Sequence, residues 1–263
     1  MSLRLPVRQY IAVPSGAPQG LVTDLWELPL AQTAFIELHC WNVGITGGVP
    51  APDDYWVFMG SRQNHERMER VVAEQIAPAL QAARAAGMTV VHVQPESVAA
   101  RYPEMRPAAL PEEVRTLSPA RRRVPPCPGG HPTARAERVH GAGYRNWDGW
   151  PHLDVAPLIH PVPGETMIAT TDEFHAWLSD RGIHTLIYTG FCTNLCILDS
   201  PAAMRAMANL GYRCVLLREA TLAVEFADQP PTLHTDAALR YIESWIGYTA
   251  GVPDFVRAAA DVS

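Results

Sequence analysis

The stretch from Gly182 to Glu225 reads GIHTLIYTGFCTNLCILDSPAAMRAMANLGYRCVLLREATLAVE. Thr185 to Thr189 is apolar and rich in β-branched and aromatic side chains, as a buried strand requires. A turn from Gly190 leads directly into a small-residue run, Thr193 to Leu210, at helical spacing, and Gly211 closes it. Tyr212 to Leu217 is again strand-like. Working outward, Thr33 to Leu38 reads as a buried strand carrying one carboxylate. Gln63 to Gly87 reads as an amphipathic helix kinked at Pro78, and Thr89 to Val93 as a second strand. Met167 to Thr170 is a short strand, followed by a helix capped at Asp172 and ended by Gly182. Helix Thr232 to Trp245, a short strand near Ile246 to Tyr248 and a helix from Pro253 complete the chain. Strands alternating with helices imply a parallel sheet covered on both faces, and right-handed crossovers make it doubly wound. The predicted fold is therefore a three-layer, mainly parallel α/β sheet of the Rossmann-like kind. It forms one domain over residues 31–263, with an N-terminal arm, residues 1–30, in which no period is legible.

Half of the chain's 24 prolines fall between Pro103 and Pro163. A helix or long strand is hard to build there, so residues 101–163 read as a Pro-rich loop insert. It carries Trp147, Trp150 and four histidines, His131, His140, His152 and His160. The two indoles are expected either to roof a pocket or to anchor the insert.

All 21 basic residues are arginine. A Schiff-base lysine and a phosphate-binding loop lysine are thereby excluded. With 27 acidic residues the net charge is −6, which argues against nucleic acid as a partner. Arg121 to Arg123 is the one basic run and reads as a solvated loop. No segment has the length of apolar sequence that a membrane span needs, and no secretory h-region is seen. Five cysteines without a C-x-x-C pair fit reduced thiols in a cytoplasm. A small-molecule substrate and a homo-oligomer, dimer or tetramer, are expected, the latter from the 48% apolar content.

In an open α/β sheet ligands bind outside the carboxyl ends of strands. The turn after Thr189 places Cys196 in the first turn of the following helix. There the positive end of the helix favours the thiolate, and nearby N–H groups point at whatever the sulfur attacks. The competing reading is a small apolar cysteine in a core helix.

The G-I-x-x-L, G-x-x-T-N-x-C and G-Y elements of this stretch resemble the signature of isochorismatase-like cysteine hydrolases. That superfamily includes nicotinamidases and N-carbamoylsarcosine amidohydrolases. The first strand and the run Pro163 to Glu165 match in order, so the likeness extends from about residue 33 onward. The resemblance implies Cys196 as the nucleophile, attacking an amide or carbamoyl carbon. It also implies an oxyanion hole from the N–H groups of Cys192 and Cys196, and a cis peptide between Phe191 and Cys192.

The family completes its site with an aspartate and a lysine, and both are missing. His39 stands where the aspartate belongs, with Glu37, two residues earlier on the same strand face, as the alternative. Thr170 occupies the lysine position. A neutral His39 is suited to take the thiol proton and return it to the leaving amine, with Glu37 orienting the ring. Trp41, Asn42, Phe191 and Asn194 are the candidate substrate contacts. No cofactor is expected, and no metal, because His92 to Ser97 lacks the Asp-x-His of metal-binding members. Zinc at His39, Cys40 and Cys192 is the alternative there. The leading expectation is thus a cysteine hydrolase of small amide-type substrates. Its rivals are a non-catalytic relative that binds a small ligand and, less well matched, a vinyl-ether hydrolase.

Overall fold

Alternation along the strands decides which layer each helix joins. The computed structural model describes residues 1–11, 20–52, 59, 61–108, 140–141, 143–226 and 228–262. Arg121 to Arg123, Cys127, His131 and the rest of insert residues 109–139 lie outside them. Strands β3 (Thr33–Leu38) and β4 (Thr89–Val93) form with the bounds expected from sequence. Phe35 and Val90 pack with the layer made by helices α1 (Arg62–Val71), α2 (Ala77–Ala85) and the C-terminal helix. Ala34, Ile36, Leu38 and Val91 face the opposite layer. This period of two, buried on both sides, is what a central parallel strand requires.

The remaining strands are β5 (Thr166–Ile168), β6 (Thr185–Phe191), β7 (Arg213–Leu222) and β8 (Tyr248–Ala250). Strands β3 to β8 are mutually parallel, in the spatial order β8-β7-β6-β3-β4-β5. The chain winds one way through β3, β4 and β5, then returns to the other side of β3 with β6. The carboxyl ends of β3 and β6 therefore border the crevice where the winding reverses. Gly190 lies opposite Leu38 there, at φ +118°, and a Cβ would overlap the Leu38 carbonyl oxygen.

Four local readings change. Residues Ser2–Ile11 (β1) and Gly20–Pro29 (β2), where no period was legible, pair as an antiparallel hairpin and extend the sheet beyond β8. Only one side of β1 is buried and β2 is largely exposed at the edge, so hydrophobic alternation is weak. The kink expected at Pro78 is a wide turn, Val72–Ile76, in which the Ala77 N–H reaches back to the Val72 carbonyl. The helix after β5, α4 (Thr171–Ser179), is capped by Thr170 rather than Asp172, because the Thr170 side chain accepts from the Glu173 N–H. The single helix expected from Thr193 to Leu210 is two, α5 (Cys196–Asp199) and α6 (Met204–Asn209). Pro201 has no N–H to continue α5, and Ala202 takes φ +60°.

One short helix, α3 (Glu96–Ala99), follows β4. Helices α7 (Leu233–Trp245) and α8 (Val252–Ala260) end the chain. Phe255 of α8 meets Phe35 at 5.6 Å between ring centroids. Each such buried aromatic contributes roughly 1.5–3 kcal/mol through removal from water. Among the described residues no helix is long and apolar enough to cross a membrane.

Candidate active site

The turn after β6 is stapled from several sides. The Thr193 N–H donates to the Leu222 carbonyl at 3.1 Å, and the Thr193 and Thr221 hydroxyls meet at 2.7 Å. The Leu195 and Ile197 N–H groups both donate to the Cys192 carbonyl. The Phe191–Cys192 peptide is cis. Together these place Cys196, half-buried, at the start of α5, where the backbone N–H groups of Cys192 and Cys196 favour its thiolate.

The thiol pKa nevertheless lies above its ordinary value, because burial outweighs those two N–H groups. This corrects the lowered pKa expected from a helix N-terminus. α5 is only four residues long, too short for a substantial macrodipole.

His39 follows β3 at φ +54°, its N–H donating to the Val93 carbonyl. Its ring is buried and stacks on Trp41, centroids 4.9 Å apart and planes 22° from parallel. Burial lowers its pKa to about 4, with Glu37 opposing the shift, so the imidazole is neutral at pH 7. Its Nδ1 makes no hydrogen bond among the described residues.

His39 and Cys196 line one pocket of about 290 Å³, together with Cys192, Phe191, Trp41 and Leu195. Met59 and Met68 form part of its wall, and the Cys192 thiol lies 3.2 Å from the Met59 sulfur. Tyr144 and Trp150, from the Pro-rich insert, supply another wall. Burial raises the Tyr144 pKa and the nearby Cys196 raises it further, so the phenol keeps its proton beside the sulfur. The Tyr144 ring meets Trp150 edge-on at 5.3 Å, and the Trp150 indole N–H donates to the Tyr144 carbonyl at 2.8 Å.

The family profile of the Isochorismatase domain matches residues 54–247, most of the chain, and spans both this turn and the strands that carry it. The chain belongs to the isochorismatase family. It is 27% identical over 194 residues to the ureidoacrylate amidohydrolase RutB of Azorhizobium caulinodans, covering 71% of this chain and 76% of that one. The RutB protein of Methylorubrum extorquens is 29% identical over 269 residues, covering 98% and 89%. Among solved structures, a cysteine hydrolase from Pseudomonas syringae pv. phaseolicola superposes with a TM-score of 0.56 at 16% identity, covering 90% of this chain and 97% of the other. An isochorismatase-family protein from Burkholderia thailandensis gives 0.50 at 20% identity, covering 88% and 96%.

In this isochorismatase-family chain several expected site residues serve other ends. Thr170, at the lysine position, is exposed, caps α4 and lies outside the pocket lining. The Asn42 side chain is turned to the insert, accepting from the Asp154 N–H at 2.9 Å and donating to the His152 carbonyl at 3.2 Å. Asn194 clamps the turn to Val224, accepting its N–H at 3.0 Å and donating to its carbonyl at 3.3 Å. A substrate role for Asn42 and Asn194, and a catalytic one for Thr170, are not what their hydrogen bonding suits. Glu37 makes no hydrogen bond to the His39 ring either. One oxygen accepts from the Cys40 N–H at 2.7 Å, and the other meets Gln94 Nε2 and His92 Nδ1, each at 2.9 Å.

Tyr144, Met59 and Met68 escaped the sequence reading. Tyr144 sits in a Pro-rich stretch without a period, and its one signal was proximity to Trp147 and Trp150. Trp147 packs against Trp150 at 5.3 Å, behind the pocket wall. Among the described residues no group of three or more His, Cys, Asp or Glu side chains is arranged to hold a metal ion.

Proposed function

We propose that this protein is a cysteine-dependent amidohydrolase that cleaves a C–N bond of a small amide or carbamoyl compound. The carrying observation is the single pocket lined by the Cys196 thiol, Cys192 and a neutral His39, at a turn whose backbone N–H groups favour the Cys196 thiolate. The RutB relatives, ureidoacrylate amidohydrolases, support the same reaction class.

In the resting site both partners are uncharged: a thiol whose pKa is raised and an imidazole whose pKa is lowered. Proton transfer from sulfur to His39 therefore accompanies attack rather than preceding it. The sulfur adds to the carbonyl carbon and the carbonyl oxygen takes the negative charge. As that happens, the N–H groups of Cys192 and Cys196 serve the developing oxyanion. Collapse of the adduct breaks the C–N bond, and the His39 imidazolium returns its proton to the departing nitrogen. Water, deprotonated by His39, then hydrolyses the thioacyl intermediate and frees Cys196. Trp41, Phe191, Tyr144 and Trp150 are the walls against which the remainder of the substrate packs.

Incubating the purified protein with ureidoacrylate and a panel of small neutral amides tests the proposal. Activity that is lost in Cys196→Ala, with an acyl adduct on Cys196 detected by mass spectrometry, is the expected result. Turnover that survives Cys196→Ala would overturn it. Cytoplasmic location and homo-oligomeric assembly belong to the same proposal, and fractionation and light scattering read them directly.

A further inference from the structure

A line of buried charge runs beside the pocket and takes no part in the steps above. His92 on β4 lies opposite Glu37 on β3 in the sheet register, with Nδ1 2.9 Å from Glu37 Oε2. Its Nε2 lies 2.9 Å from Glu165 Oε2. An ionised carboxylate only accepts hydrogen bonds, so a ring held between two of them donates from both nitrogens and is an imidazolium. Burial alone would lower the His92 pKa, yet the bonds and charges of the two carboxylates leave it raised. Glu165 in turn receives Arg84 in a fork, Nε at 2.6 Å and Nη2 at 2.9 Å. Its pKa is drawn down to about 2 by hydrogen bonds from His92, Arg84 and the Val162 N–H, against the desolvation that opposes them. Charges alternate along Arg84, Glu165, His92 and Glu37, and they sum to zero.

The inner end of this line terminates on Cys40, next to His39 in the chain, and, through Gln94, on Trp41, its stacking partner. Glu37 holds the Cys40 N–H at 2.7 Å. Gln94 donates to Glu37 at 2.9 Å and accepts the Trp41 indole N–H at 3.0 Å. The Trp41 indole is the surface on which the His39 ring stacks. His39 itself sits in the left-handed region, which costs a non-glycine residue on the order of 1 kcal/mol, so its turn needs anchors outside itself.

We propose that Glu37, His92 and Gln94 are positioning residues for His39. They act through the Cys40 amide and the Trp41 indole. This inference rests on the reading of His39 as the base.

The probe is p-nitrophenyl acetate. Its burst of nitrophenolate reports acylation of Cys196, and its steady rate reports deacylation. Gln94→Leu removes the link to Trp41 without touching the pocket lining. It is expected to lower the acylation rate roughly 10- to 100-fold, the scale of a misplaced catalytic group, with KM for the probe unchanged within about twofold. In a His39→Ala background the same substitution is expected to add nothing, because the group it positions is gone. If Gln94→Leu does not fold, Trp41→Phe cuts the same link from the other side and keeps an aromatic ring to stack. Losses that multiply in the double variant, or no loss on cutting the link, overturn the positioning role while leaving His39 as base. If His39→Ala by itself leaves both rates unchanged, the base reading falls and the positioning role falls with it.

Discussion

Replacing His92 with Gln removes the central cation of the buried line and leaves two carboxylates facing one neutral amide. Glu37 and His92 are fully buried, and Glu165 nearly so. The glutamine amide nitrogen can serve one carboxylate, while its carbonyl oxygen confronts the other. Removing one partner of a buried ion pair costs about 3–5 kcal/mol. At roughly 2–4 °C per kcal/mol for a chain of this size, the melting temperature should fall by about 10 °C. Arg84→Ala, at the partly exposed outer end, lets Glu165 recover water and should cost about 1 kcal/mol or less. The penalty for His92→Gln also has a pH window. Glu165 has a depressed pKa, about 2, so its stabilisation is complete above the ordinary carboxylate range near 4.5 and is lost as pH falls toward 2. His92 has a raised pKa, so its stabilisation is complete below its ordinary 6.5 and is lost as pH rises through the raised value. The difference between wild type and variant should therefore be widest between about pH 4.5 and 6.5 and should narrow on both sides. Urea unfolding followed by circular dichroism at half-unit pH steps measures it. A loss below about 1 kcal/mol within that window, or one that matches Arg84→Ala at every pH, would refute the reasoning.

The remaining expectations are simpler to read. Alkylation of Cys196 by iodoacetamide should keep accelerating with pH beyond 9, since burial holds the thiol above its ordinary pKa; a plateau near neutrality would contradict the assignment. Activity should not change with His39 protonation between pH 5 and 8, and should decline only as pH approaches about 4. A His39-dependent inflection near 6.5 in the pH–rate profile would count against its burial. Gly190→Ala should cost about 3 kcal/mol or more, because the methyl group meets the Leu38 carbonyl and the backbone is at φ +118°. Near-wild-type melting of that variant would mean that β6 and β3 can separate at their carboxyl ends. Asn42→Ala removes two hydrogen bonds to residues 152–154 and should speed limited proteolysis within the insert, at a stability cost of about 1–2 kcal/mol. An unchanged digestion pattern would show the clamp to be redundant.

The central strands were legible because burial on both faces imposes continuous apolar runs. β3 and β4 follow their sequence signal residue for residue. The β1–β2 hairpin was not, since a strand at a sheet edge needs little apolar surface and leaves no strong period. Pro201 was visible in the sequence, yet the small-residue run around it carried a helical spacing strong enough to hide the break. The expectation that Cys196 and His39 share a site came from the family resemblance, which puts His39 at the aspartate position, and both line one pocket. The true partners of Glu37 were not legible, because positions 37, 92, 94 and 165 lie on separate strands and loops.

By itself the sequence determined the order of the central strands and their helices, the location of Cys196 in the turn after β6, and the lack of any lysine to assist it. These are local or compositional facts, carried by period, turn chemistry and residue type. Only the tertiary structure decided that Glu37 bonds Cys40 and His92 rather than the His39 ring, that Thr170 is a helix cap, and that Tyr144 lines the pocket. It also decided that both the thiol and the imidazole rest uncharged. Protonation follows desolvation, and desolvation depends on what distant segments bring over a side chain, which no run of neighbouring residues specifies.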